Sequence, residues 1–295
     1  MPLHVRAGRH AERLRLRALL PRVPVVFLTA AQDRALLLRA FEAGAVDYVV
    51  KPFIPEELVA RVNAHIGLKL ARDRLEQVAR DADVRGVVIE GAGASFSAGA
   101  DLNWMRGMAA ASEAANRDDA LALARLMRTL DELPKPTIAR VQGAAFGGGV
   151  GMMAVADIAI AASTAKFGLT EVKLGLIPAT IGPYVLARMG EDKARRVFFS
   201  ARLFGADEAV TLNLAARAVA PDDLDAAIEA EVAPFLLAAP AAVAAAKAQC
   251  RALGPRIDQA VIEDSIDRLV AVWEGDEAPE GIAAFFDKRK PRWQV

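Results

Sequence analysis

The chain is short of the side chains most often used for acid–base and nucleophilic chemistry. Its 295 residues include one cysteine, three histidines and two tyrosines. A single cysteine, Cys250, allows no intrachain disulfide and no cysteine zinc cluster. It fits a reducing compartment, and a cytoplasmic location is expected. His4, His10 and His65 all lie before residue 78. A Ser-His-Asp or Cys-His site therefore cannot be built from residues 78–295 alone. Acid–base work there must fall to carboxylates, to lysines or to Tyr184, the one tyrosine of that stretch.

Long apolar runs are also missing. The longest, 143–156, is rich in glycine, ends at Asp157 and is too short to span a bilayer. The run 233–246 is broken by Pro234 and Pro240. No membrane helix is expected. The arginine-rich stretch 6–22 is interrupted by Glu12 and reads as an exposed basic helix rather than a transit peptide. Net charge is absent too, but this hides an asymmetry. Residues 1–77 carry 13 Lys and Arg against 8 Asp and Glu (+5), and residues 78–295 carry 24 against 29 (−5). Neither value calls for a nucleic-acid partner, and the change of sign points to two segments of different origin.

The order of elements follows from periodicity. Residues 23–29 (VPVVFLT) and 47–50 predict strands. Between them, 33–43 has helical spacing and ends at Gly44. Pro55 opens a helix in which Leu58, Val62 and Ile66 recur every four residues, and 72–80 continues it as a linker. Residues 84–90 (VRGVVIE) predict a strand. Leu121 to Leu133 mark a long helix, 137–141 a strand, 150–156 an apolar helix, and 158–161 and 166–168 short strands. From Glu191 onward the pattern is helical. Strand–helix alternation with a helical final third predicts an α/β fold.

Three pieces carry chemistry. The first is Phe96-Ser97-Ala98-Gly99-Ala100-Asp101-Leu102. The second is Gln142-Gly143-Ala144-Ala145-Phe146-Gly147-Gly148-Gly149, at the head of the apolar helix. The third is Thr170-Glu171-Val172-Lys173-Leu174-Gly175, after a strand. Glycines at a helix start permit close approach and expose N–H groups that favour a negative oxygen. An apolar helix behind them implies a site of low dielectric, where such donors are worth most. Glu171 lies between Leu169 and Val172, and burial would raise its pKa toward the range of proton transfer. There is no Gly-Lys-Ser/Thr, hence no P-loop. Gly149-Val150-Gly151-Met152-Met153-Ala154 spells a dinucleotide fingerprint, but the following strand ends at Ala162-Ser163 without an acidic residue for a ribose.

Taken together, the three pieces resemble the crotonase (enoyl-CoA hydratase/isomerase) family over residues 84–295. The resemblance implies a crotonase-like ββα superhelix with a helical C-terminal region. It implies that the N–H groups of Ala100 and Gly148 bind the thioester oxygen and that Glu171 moves a proton at the α-carbon. It further implies that the carbonyl of Ala98 and the tail residues Phe285 and Lys288 hold coenzyme A. Coenzyme A would enter as part of an acyl-CoA substrate, with no metal or other cofactor, and the assembly would be a homotrimer or hexamer. The wording FSAGADLNWM with QGAAFGG is similar to bacterial methylglutaconyl-CoA hydratases, whose substrate bears a second carboxylate. Arg106, Arg117 and Lys173 are candidate partners for it.

Two departures from the family pattern stand out. Two-glutamate hydratases carry a second glutamate three residues after the middle glycine, where this chain has Gly151. Glu171 then serves alone, or a carboxylate from the loop 103–119 assists, or the reaction is a double-bond isomerisation. The family's opening strands and helix are also missing before residue 84. In their place, residues 24–75 resemble the C-terminal half of a response-regulator receiver domain, with Thr29 and Lys51-Pro52 matching its switch residues and no acidic phosphorylation site. The chain is accordingly divided into a receiver-like segment with a linker helix, 1–77, and an N-terminally truncated crotonase domain, 78–295. The helix from Pro55 is expected to replace the family's first helix, and the strand 23–29 to cover the open sheet edge. A fusion remnant with an incomplete coenzyme A pocket is the non-catalytic alternative.

Overall fold

The computed structural model describes residues 26–29, 47–50, 55–109 and 111–295, with side chains from residue 63 onward apart from His65. The expected helix at 33–43 and the Lys51-Pro52 pair lie outside these residues. The first two strands, β1 (Val26–Thr29) and β2 (Asp47–Val50), pair in parallel as a sheet of their own. Helix α1 (Pro55–Arg80) follows and runs unbroken past residue 77. It packs on two later helices, α2 (Leu102–Ala109) and α3 (Glu113–Asp131).

The main sheet is entirely parallel, in the order β3 (Val87–Glu90), β4 (Thr137–Val141), β6 (Ile158–Ala162), β9 (Arg217–Val219). Side chains alternate across it. Ala139, Val141, Ala159 and Ala161 face Met127 and Leu130 of α3 and Val150 and Met153 of helix α4 (Gly148–Val155). Ile138, Ile160 and Ala162 face Leu224, Ala227 and Ile228 of helix α8 (Leu224–Leu237). Both faces are thus covered, as parallel sheets require. Leu130 and Met127 have no exposed surface. Truncating either to alanine would cost ~2–5 kcal/mol.

A second, small sheet holds β5 (Ala145–Phe146), β7 (Lys166–Gly168) and β8 (Phe204–Gly205). Phe167 and Phe204 tilt against each other with centroids 5.6 Å apart. Helix α5 (Gly182–Met189) packs on α4 and on α6 (Glu191–Phe198), α7 (Ala206–Thr211) packs on the small sheet, and α9 (Pro240–Leu253), α10 (Gln259–Trp273) and α11 (Glu277–Phe286) complete the chain. The expected helical final third is present, apart from the two short strands β8 and β9. No described helix is long and apolar enough to cross a membrane; α8 and α9 are apolar, but the chain bends by 109° between them.

Three expectations need correction. The strand predicted at 84–90 forms only from Val87, whose N–H makes the first ladder bond, to Pro136 O at 2.9 Å; before it, the Arg85 guanidinium donates to Phe235 O and Ala238 O at the end of α8. The stretch 103–119 is not a loop: α2 fills its first part and α3 begins at Glu113, each with a capping side chain. Finally, β1 does not cover the main sheet. Its backbone bonds go to β2, and β3 stays at the edge with Val88 43% exposed. A groove of about 260 Å³ lies beside that edge, lined by Val87, Val88, Ile138, Val232 and Phe235. It contains none of the candidate site residues.

Candidate active site

The three sequence pieces meet as neighbouring rungs of one small sheet. β5 sits in the middle. On one side Ser97 forms a parallel bridge with Ala145, donating its N–H to Ala144 O and accepting from Phe146 N–H, both at 3.0 Å. On the other side β7 pairs with β5, Phe167 opposite Ala145 and Gly168 opposite Phe146. Gly147 N–H then reaches Gly168 O at 3.0 Å. The loop after Ser97, the start of α4 and the turn carrying Glu171 therefore emerge side by side.

Small residues make this closeness feasible. A side-chain carbon on Gly143 would lie 2.0 Å from Ala94 O, and one on Gly149 would lie 2.7 Å from Ser97 Cβ. Gly147 caps α4 with φ 50° and ψ −115°, a conformation open to glycine, and Glu171 Oε1 lies 3.1 Å from where its Cβ would be. Gln142 holds the preceding loop. Its Nε2 donates to Gly91 O, Gly93 O and Ser95 O at 2.9, 2.9 and 3.1 Å.

Two main-chain donors remain free beside this junction. Among the described residues, neither Ala100 N–H nor Gly148 N–H has a hydrogen-bond acceptor. Gly148 is the first residue of α4, and apart from its chain neighbours and the helix's own backbone no atom lies within 4 Å of where its Cβ would be, so it borders open space. Ala100 is exposed, at the end of a turn through Gly99 (φ 98°). The next residue, Asp101, caps α2: its Oδ1 accepts from Asn103 and Trp104 N–H, both at 2.9 Å. That cap fixes the chain on the far side of Ala100.

Glu171 opens a short 3-10 turn, Glu171–Leu174. Its Oε2 is buried without a partner. Burial, the dominant influence, lifts its pKa to about 7, against a smaller lowering by its own backbone N–H. At neutral pH the carboxyl is therefore split between its two forms, and it can both give and accept a proton.

The remaining candidates are more scattered. Ala98 is exposed in the same loop as Ala100. Phe285 and Lys288 lie on the surface at the end of α11, and Phe285 packs edge-on to Phe286. Arg117 is engaged by Asp267. Arg106 lies over the Phe286 ring, 4.2 Å from its centroid, and makes no ion pair among the described residues. Lys173 is exposed. At Gly151 a Cβ would fall 2.2 Å from Ile181 Cγ2, so Ile181 fills the space a longer residue would need. Nothing in the local sequence announces Ile181, 30 residues away.

The family model for enoyl-CoA hydratase/isomerase matches residues 69–295. The chain belongs to this family. A response regulator receiver domain model matches residues 9–63, and the gap between the two matches falls within α1. Among solved structures, an enoyl-CoA hydratase from Shewanella pealeana is 42% identical, with 77% of this chain and 85% of that one covered and a TM-score of 0.62. One from Mycobacterium avium is 30% identical over 78% and 87%, with a TM-score of 0.68. Pseudomonas aeruginosa AtuE is 36% identical over 78% and 89%, with a TM-score of 0.62. The α/β fold with its helical C-terminal region is thus a crotonase fold, and the chain is an enzyme of the enoyl-CoA hydratase/isomerase family.

Proposed function

We propose that this family member is a lyase that adds water to a 2-enoyl-CoA thioester, with Ala100 and Gly148 N–H as the donors to the thioester oxygen. One observation carries the reading: the Glu171 carboxyl, with Oε2 buried and unpartnered among the described residues and Oε1 against Gly147, lies next to an open helix start with a free N–H. In this reading, protonated Glu171 gives its proton to the α-carbon. Water adds its hydroxyl to the β-carbon and returns its proton to Glu171, so the balance closes with a single carboxylate. Coenzyme A takes part only as a portion of the substrate, held by Ala98 O and by Phe285 and Lys288.

3-Methylglutaconyl-CoA is the proposed substrate. The FSAGADLNWM wording supports it, and so does Arg106 on α2, which stacks on Phe286 and has no ion pair among the described residues, leaving its charge for a second carboxylate. A homotrimer or hexamer is proposed, in keeping with exposed apolar residues such as Phe199, Leu203 and Leu237. A second reading, an enoyl-CoA isomerase, is favoured by Ile181, because it closes the position of a water-activating glutamate. The test is turnover of crotonyl-CoA and 3-methylglutaconyl-CoA by the purified chain, alongside a 3-enoyl-CoA. Hydrated product from either 2-enoyl thioester supports the lyase. A shifted double bond without uptake of water supports the isomerase. Absence of all turnover in a folded chain would leave only a non-catalytic remnant.

A further inference from the structure

The C-terminal helix α11 approaches the turn of Glu171 more closely than side chains allow. A Cβ on Gly281, inside α11, would lie 2.5 Å from both C and O of Leu174, and one on Gly175 would lie 2.5 Å from C and O of Glu277. The contact is reciprocal and made of backbone on both sides. Gly175 (φ 70°) closes the turn, donating its N–H toward Glu171 O and Val172 O. Leu176 N–H also bonds to Glu171 O, at 3.1 Å. A push on Leu174 or Gly175 is therefore passed to Glu171. The same helix reaches the donor side of the site. It packs on α2, with Arg106 over Phe286, one turn beyond the Asp101 cap that follows Ala100.

We infer that Gly175 and Gly281 form a clasp through which α11 sets the turn of Glu171 against the α2 side of the site. Gly281 is thus a positioning residue for Glu171. The inference rests on the proposed role of Glu171 for its kinetic arm only. Gly281 lies within a helix, where alanine is normally more stable than glycine. A loss on adding one methyl group must come from the clasp.

The test compares Gly281→Ala with the parental chain and with Gly254→Ala. The control also crowds a carbonyl, Cys250 O at 2.9 Å, but at the end of α9. For Gly281→Ala, kcat on a hydrated thioester should fall about ten- to a hundredfold, as sub-ångström misplacement can do, with KM within about twofold. The limb of the pH profile governed by Glu171 should move below about 7. A carbon-13 titration of the Glu171 carboxyl in the free protein should move in the same direction, and it needs no activity. Gly254→Ala should change neither. A parental kcat and a parental Glu171 titration in folded Gly281→Ala would overturn the clasp. A normal titration shift with no effect on turnover would instead unseat Glu171 as the catalytic group. If Gly281→Ala does not fold, hydrogen exchange on the parental chain decides. The amides of Gly175 and Leu176 should open together with those of 281–284, and independent opening would refute the coupling.

Discussion

Two kinds of group meet at the candidate site: the main-chain N–H groups of Ala100 and Gly148, held by strand bonds and a cap, and the Glu171 side chain, whose Oε2 has no partner among the described residues. The first arrangement is rigid because backbone geometry leaves little choice: Ser97, β5 and β7 lie rung against rung, and Gly147 adopts a conformation closed to most residues. The second is costly, since burial of a carboxyl whose only favourable contact is its own backbone N–H appears as a raised pKa. A donor that must stay in place is built from chain. A group that must change its protonation is built from a side chain kept dry.

The sharpest way to break the comparison is to neutralise the carboxylate side alone. Glu171→Gln should lower hydration by ~10²–10⁴, the usual worth of a positioned acid–base group, with thioester binding little changed. Steady-state rates and an equilibrium titration with a non-reactive acyl-CoA check both halves. The donor side should respond somewhat less. Gly148→Pro removes one N–H at the first helical residue, where proline is tolerated, and no atom crowds the position. Loss of one such donor should reduce kcat by ~10²–10³. A folded variant with parental kcat would show that this N–H makes no contact with the reacting oxygen.

The cost of a dry carboxyl is also measurable as stability. Glu171 ionises near 4.5 in the unfolded chain and at about 7 in the folded one. Between those values the folded state holds the extra proton, so stability falls as pH rises through the window and is level above it. The full span corresponds to about 3 kcal/mol. Glu171→Gln should therefore be more stable than the parental chain at pH 8, by up to about 3 kcal/mol, and the gap should close below pH 4.5. Denaturant melts at the two pH values test this. An equal difference at both would mean that the carboxyl is not desolvated.

Much of this was legible in the residues. The three motifs that hold the candidates Ala100, Gly148 and Glu171 are local in sequence, and the structure sets them side by side; the β–α alternation from residue 84 onward was read from periodicity. The α2 helix was missed although Asp101 before Leu102 is a capping signal; the glycines and alanines ahead of it masked the start. Ile181 in the space beside Gly151 and the pairing of Gly175 with Gly281 could not be read at all. Each is a contact between distant segments, and a glycine does not say which atom takes the place of its missing side chain. The same holds for β1: its composition predicts a strand, but only tertiary structure decides that it bonds to β2 and not to β3.

The smallest expected effect concerns the support of the donor side. Gln142 Nε2 shares its two N–H groups among three carbonyls of the loop between β3 and Ser97, while its own Oε1 is buried without a partner among the described residues. Gln142→Ala removes the bonds of both N–H groups, each group worth ~0.5–1.5 kcal/mol net, but it also removes that stranded oxygen. The released carbonyls of Gly91 and Gly93 are in a partly exposed loop, so water can satisfy them. The net loss should be about 1–2 kcal/mol, below the sum of its parts. Ser97 remains bridged to Ala145, so the Ala100 N–H should shift only slightly and kcat should fall a few-fold. The Glu171 pH limb should not move, because Gln142 acts on the other side of β5. A displaced limb in Gln142→Ala would show that the two sides are one mechanical unit, and the contrast between rigid backbone and tuned side chain would then have to be given up.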